Sequence, residues 1–123
     1  MTEWETNTTM RGRHAEGLVR GFLESKGLVF IESNFRQKCG EIDLIFHDNR
    51  QVVFVEVRSA GRISTHLRYT ITKSKLQKIY RTAALYLSQR GKHGCGSRFD
   101  VVWVERDVHG KWQFEHWKNV SLC

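Results

Sequence analysis

The sequence predicts an α/β domain in which a central mixed sheet is flanked by helices, and three observations carry that expectation. Two segments, His14–Lys26 and Lys73–Arg90, repeat their apolar residues with the helical period. Three strand-like runs follow the first of them in succession. One more run follows the second helix and another closes the chain, so the order reads α-β-β-β-α-β plus a C-terminal edge strand. A chain of 123 residues fits one domain and buries a core without disulfide staples.

Residues 1–11 carry no periodicity and read as a disordered tail, which leaves 12–123 as the domain. In the first helix Ala15, Leu18, Val19, Phe22 and Leu23 share one face, and Gly27 is a stop signal just past its end. Leu28–Phe35 reads as the first strand. Glu41–Phe46 reads as a buried strand interrupted by two acids, and His47–Arg50 as a polar turn. Gln51–Val57 is β-branched and aromatic, which makes the pair a hairpin. Ser59–Thr70 reads as a loop. The second helix carries Leu76, Ile79, Tyr80, Ala83, Ala84 and Leu87 on one stripe and Lys75, Lys78 and Arg81 on its outer face. A glycine-rich turn at Gly91–Ser97 leads into a strand at Phe99–Val104, and Lys111–Trp117 supplies the edge strand.

Charge narrows the function. The net charge is +7, and between Arg58 and Arg98 inclusive there are ten Lys/Arg and no Asp or Glu. A one-sided cationic run attracts polyphosphates and releases counterions on binding. Lys73, Lys75, Lys78 and Arg81 are therefore the expected nucleic-acid contacts. No stretch has the length of a membrane span, and the polar, acidic start is unlike a signal peptide. Three cysteines without paired spacing argue for reduced thiols, hence a cytoplasmic protein with no membrane partner. His93 and Cys95 lie close together, but no second pair has zinc-ligand spacing. The glycines at 91, 94 and 96 do not lead from a strand into a helix and form no phosphate loop.

Asp43 and Glu56 each interrupt an apolar strand, and an unpaired buried carboxylate is costly. A hairpin loop at 48–51 sets Asp43 directly opposite Glu56, whereas a loop at 48–49 makes them diagonal neighbours. Both even loops leave the carboxylates on one face, about 5 to 8 Å apart at Cβ, and an odd loop separates them. Two acids so close need a positive partner. An all-oxygen donor set suits Mg²⁺ or Mn²⁺. Arg58, two residues beyond Glu56, points the same way. A two-carboxylate metal site beside a fixed cation suits phosphodiester hydrolysis. The plainer alternative is a salt-bridge cluster in which Arg58 pairs with one of the acids.

Gly40-Glu41-Ile42-Asp43-Leu44-Ile45, Val53-Phe54-Val55-Glu56-Val57-Arg58 and Arg98-Phe99-Asp100-Val101-Val102, in this order, resemble the YraN-like bacterial family, uncharacterised protein family 0102. That family resembles the PD-(D/E)xK nucleases, archaeal Holliday-junction resolvases in particular. The resemblance implies a restriction-endonuclease-like fold and a metal-dependent nuclease acting on DNA ahead of RNA, with branched DNA as a candidate substrate. It makes Asp43 and Glu56 the metal-binding acids, adds the Val57 carbonyl to the metal shell, and brings Glu16 of the first helix to the same site. It also implies a two-fold homodimer, for which the C-terminal aromatics are the candidate interface. The chain departs from the motif twice. Ile42 stands where the motif has proline, and Arg58 stands where it has lysine. Arginine stays protonated and serves as a clamp or charge stabiliser rather than a base. The competing expectations are a nucleic-acid-binding module with weak or absent chemistry and an accessory subunit of a larger complex.

Overall fold

The computed structural model describes residues 8–59, 71–92 and 94–121. Its elements run α1 (Thr8–Ser25), β1 (Val29–Gln37), β2 (Gly40–Asp48), β3 (Gln51–Ser59), α2 (Lys73–Gln89), β4 (Gly96–Arg106) and β5 (Trp112–Trp117). The five strands form one sheet in sequence order. Only the β3–β4 pairing is parallel, and it is the one connected through α2. A parallel neighbour requires a crossover, and the second amphipathic helix supplies it. The expected mixed α/β sheet and element order are therefore present.

Each helix covers one face of the sheet. Ala15, Val19 and Leu23 of α1 pack on Leu44, Phe46, Val53, Val55, Val102 and Val104. Leu76, Ile79, Ala83 and Tyr86 of α2 pack on the other face, against Ile42, Ile45, Phe54, Phe99 and Val101. Residues 52–55 thus alternate between the two cores, which is why the inner strands read as continuous apolar runs rather than as alternating ones. Tyr86 is 1% exposed and meets Phe35 and Phe54 edge-on.

The structure corrects several boundaries. Residues 8–11, expected in the tail, already belong to α1, while 1–7 lie outside the described residues. The buried stripe of α2 is Leu76, Ile79, Thr82, Ala83 and Tyr86, and Ala84 is exposed. Thr82 fits there because its hydroxyl donates to the carbonyl of Lys78 at 2.8 Å, which satisfies a buried polar group within the helix. A Cβ on Gly40 would lie 2.9 Å from that same hydroxyl oxygen, so glycine lets the start of β2 pass close under α2. The expected loop at Ser59–Thr70 falls almost wholly outside the described residues, as do His93 and Cys123. Cys39 and Cys95 are free thiols. Among the described residues no helix is long and apolar enough to cross a membrane.

Candidate active site

The hairpin register decides whether the two acids meet. β2 and β3 pair Asp48 with Gln51 and Leu44 with Val55, so Asn49 and Arg50 form the turn. Asn49 takes φ 58, a left-handed conformation that asparagine tolerates. Continued by one step, this register sets Asp43 opposite Glu56, the first of the two arrangements the sequence allowed. The regular ladder ends there. The amide of Val57 donates to Oδ2 of Asp43 at 2.8 Å, so a side chain takes over from the backbone. On the other flank of β2, Asn34 has φ 55 between the paired positions Ser33–Leu44 and Phe35–Ile42. Alternation breaks at this point. Leu44 packs under α1, yet Ile42 packs under α2, and Asp43 is the residue between.

Asp43 is 9% exposed and Glu56 6%. Burial, and then the adjacent Glu56 carboxylate, push the Asp43 carboxyl up to about 8, with the Val57 amide only partly opposing them. Glu56 is better supplied. Lys75 Nζ lies 3.2 Å and Arg58 Nε 3.5 Å from its Oε2. Asp43, Glu56, Val57, Arg58 and Lys75 line a cleft of about 290 Å³ together with Gly12, Ala15, Glu16 and Ser59. Glu16 reaches the rim from α1, where Asn34 Nδ2 donates to its Oε1 at 3.3 Å. Burial raises the Glu16 carboxyl above its ordinary value, and the Asn34 bond offsets part of the rise.

The cleft brings Asp43, Glu56, Val57, Arg58 and Glu16 together. Among the described residues no three His, Cys, Asp or Glu side chains gather closely enough to form a complete metal cage by themselves. The two acids nevertheless offer what a hard divalent cation selects: buried carboxylate oxygens at an open cleft, Asp43 without a salt bridge among the described residues. Lys73, Lys78 and Arg81 are exposed on α2 as expected. Lys75 differs, because the first turn of α2 points its ammonium at Glu56. Its amphipathic position named only an outer face, and nothing in the spacing linked it to a residue 19 positions away on β3.

A second polar cluster is not foreshadowed by the sequence pattern. Asp100 on β4 is fully buried and accepts from Arg98 Nε at 3.0 Å, His116 Nε2 at 2.8 Å and the Asn119 amide at 3.0 Å. Arg98 also reaches Asp48 at 2.8 Å, and His116 Nδ1 lies 2.8 Å from Lys26 Nζ. An ammonium only donates, so Nδ1 accepts and the ring carries its proton on Nε2, towards Asp100. Burial alone would raise the Asp100 carboxyl, but the bonds from His116, Arg98 and Asn119 outweigh it and hold it below the usual carboxylate range. The Arg98-Phe99-Asp100 block is visible in the sequence, but its partners at 26, 48 and 116 are not. Other polar and aromatic side chains of interest have structural settings. His47 meets Lys92 at 2.8 Å, Glu41 pairs with Arg36 at 2.6 Å, and Trp103 is buried with Trp117 packed beside it.

Fold and site together define an α/β protein with a paired-acid cleft between two helices, one of them basic. The chain belongs to the uncharacterised protein family UPF0102, whose model matches residues 15–104. A UPF0102 protein of Dechloromonas aromatica (strain RCB) is 43% identical over 99 residues, 80% of this chain and 81% of the relative. One from Vibrio vulnificus (strain YJ016) is 38% identical over 101 residues, covering 80% and 83%. One from Beutenbergia cavernae is 34% identical over 111 residues, covering 89% and 94%.

Proposed function

We propose that this protein is a divalent-metal-dependent endonuclease that hydrolyses phosphodiester bonds in DNA, branched DNA included, in the cytoplasm. The reading rests on one observation above all: two buried carboxylates face one cleft, and among the described residues no salt bridge reaches Asp43. A fold gains no stability from that arrangement, whereas a Mg²⁺ or Mn²⁺ site requires it. Bound there, the cation supplies an activated water and offsets charge on the phosphate. Asp43 and Glu56 hold it. Arg58 keeps a permanent positive charge at the cleft and stabilises the anionic phosphate in the transition state. The exposed Lys73, Lys78 and Arg81 lie along the helix that supplies Lys75 to the cleft, and they attract the backbone of the nucleic acid.

A catalytically silent DNA-binding module, alone or as an accessory subunit, is the second reading. It is favoured by Arg58 in the motif-lysine position and by its contact with Glu56. The deciding experiment is cleavage of linear, nicked and four-way DNA, with single-stranded RNA alongside, in Mg²⁺ and in Mn²⁺. Weak Mn²⁺-favoured cleavage is expected. Glu56→Gln should lower it at least 100-fold while leaving DNA affinity unchanged or tighter, because a negative charge beside the phosphate is removed. Arg58→Lys should retain or raise the rate. Lys78→Glu with Arg81→Glu should weaken DNA binding and flatten its salt dependence by about one unit of log–log slope for each phosphate no longer neutralised. Metal-independent cleavage, or none on any substrate, transfers the protein to the binding-module reading. The same preparations run on a sizing column test the homodimer.

A further inference from the structure

Glu56 has one oxygen with two cations on it. Oε2 faces Lys75 Nζ at 3.2 Å and Arg58 Nε at 3.5 Å, at the mouth of a cleft whose other acid has neither. A metal that uses Oε2 must displace one of them, and the two differ in how readily they leave. Arg58 is mounted on β3 beside the buried Trp103 of β4, with its guanidinium 5.8 Å from the indole ring centroid. Its side chain is 31% exposed, and its Nε is buried with no hydrogen-bond partner. Lys75 comes from a different element, its side chain is 48% exposed, and its flexible four-carbon stem carries the charge. Moving the arginine disturbs the sheet, whereas moving the lysine changes one rotamer of a half-exposed side chain.

Building on the metal-site reading above, we infer that Lys75 is an exchangeable counter-ion of the site. Its ammonium neutralises Glu56 while the acid pair is without a metal, and a divalent cation and Lys75 compete for the same carboxylate oxygen. Lys75 is thereby a positioning residue at the cleft as well as a member of a basic helix face. Arg58 is the fixed charge and Lys75 the replaceable one. The competition costs metal affinity and spares the cleft an unpaired buried carboxylate in the metal-free protein.

The test is Mn²⁺ affinity, read from the free-Mn²⁺ electron paramagnetic resonance signal. Wild type is compared with Lys75→Met, Lys75→Arg, Glu56→Gln and Lys111→Met. Lys111 is exposed just before β5, so its replacement removes the same net charge away from the cleft. Lys75→Met should tighten Mn²⁺ binding at least fivefold, Lys111→Met should change it less than twofold, and Lys75→Arg should stay near wild type. Glu56→Gln should abolish binding. Equal affinities for Lys75→Met and Lys111→Met, with Glu56-dependent binding intact, would overturn the exchange while leaving the metal site standing. No Glu56-dependent Mn²⁺ binding in any of the proteins would remove the metal site and the exchange together.

Discussion

Asp43 and Asp100 are both aspartates buried in inner strands of one sheet, with β3 between their strands. They share a desolvation problem, and the molecule answers it in opposite ways. Asp100 receives an arginine, a histidine N–H and a backbone amide, and its carboxyl falls below the ordinary range. Among the described residues Asp43 receives one backbone amide and a neighbouring acid, and its carboxyl rises. The first arrangement is complete without any ligand. It ties the start of β4 to β5, to the hairpin turn at Asp48 and to Lys26 just past the end of α1. The second has no comparable set of donors among the described residues, and on the proposed reading a divalent cation supplies the missing charge. Burial of a carboxylate therefore distinguishes nothing by itself, and the partners decide whether it belongs to the scaffold or to a site.

The largest expected effect lies on the scaffold side. Asp100→Asn keeps the shape but sets an NH₂ group against one donor, His116 Nε2 or the Asn119 amide, and removes the negative charge between Arg98 and His116. Breaking a buried charged cluster from one side costs about 3 to 5 kcal/mol, a large share of a small domain's stability. Urea unfolding should show a loss of about 3 kcal/mol. A loss below about 1 kcal/mol would mean that the cluster is only loosely coupled to the fold and would erase the contrast with Asp43.

The contrast also explains what could be read from residue order. Helices, strands and their succession follow local periodicity, and the acid pair follows from hairpin parity, so both were legible. Parity alone left the detail open. The alternation breaks at Asp43, beside the left-handed Asn34, and no pattern of apolar residues announces such a kink. The placements of Lys75 on Glu56 and of His116 on Asp100 depend on how α2 and β5 dock on the sheet. That docking is set by whole-face packing rather than by spacing. The C-terminal aromatics meet the same limit: Trp117 packs partly on the α2-side core and Trp112 partly on the α1-side core, a division that spacing does not announce.

On the site side the next effects have the opposite sign. Saturating Mn²⁺ at about 100 times its dissociation constant should stabilise wild type by about 2.7 kcal/mol. That corresponds to a Tm rise on the order of 10 °C for a domain of this size. Asp43→Asn should need no metal for its gain. The new side chain keeps an acceptor for the Val57 amide and turns an amide N–H towards Glu56, a donor that the aspartate supplies only by holding a proton the unfolded chain has released. A gain of about 1 to 2 kcal/mol at about pH 7.5 is typical of relieving such a functional strain. The two gains should not add, since the substitution removes a proposed metal ligand. A destabilised Asp43→Asn, or an undiminished Mn²⁺ response in it, would show that Asp43 belongs to the scaffold class.

Stability against pH separates the two aspartates by sign. The Asp43 carboxyl is raised from its ordinary 3.8 to about 8, so between those values the folded protein holds a proton that the unfolded chain has released. Stability from this group is then full at the acid end and declines as pH rises towards 8. The Asp100 carboxyl is lowered, so its contribution is full above the ordinary carboxylate value and is lost as pH falls below it. Wild type in EDTA should therefore lose stability between about pH 5 and pH 8 and lose it again on acidification below about pH 4. Asp43→Asn should flatten the first slope and leave the acid limb in place. Asp100→Asn should do the reverse, from a lower overall stability. Urea midpoints at about pH 3.5, 5, 6.5 and 8 for the three proteins resolve both limbs. If Asp43→Asn leaves the slope between about pH 5 and pH 8 unchanged, the proton is held elsewhere in the cleft, with Glu16 as the next carboxyl raised by burial.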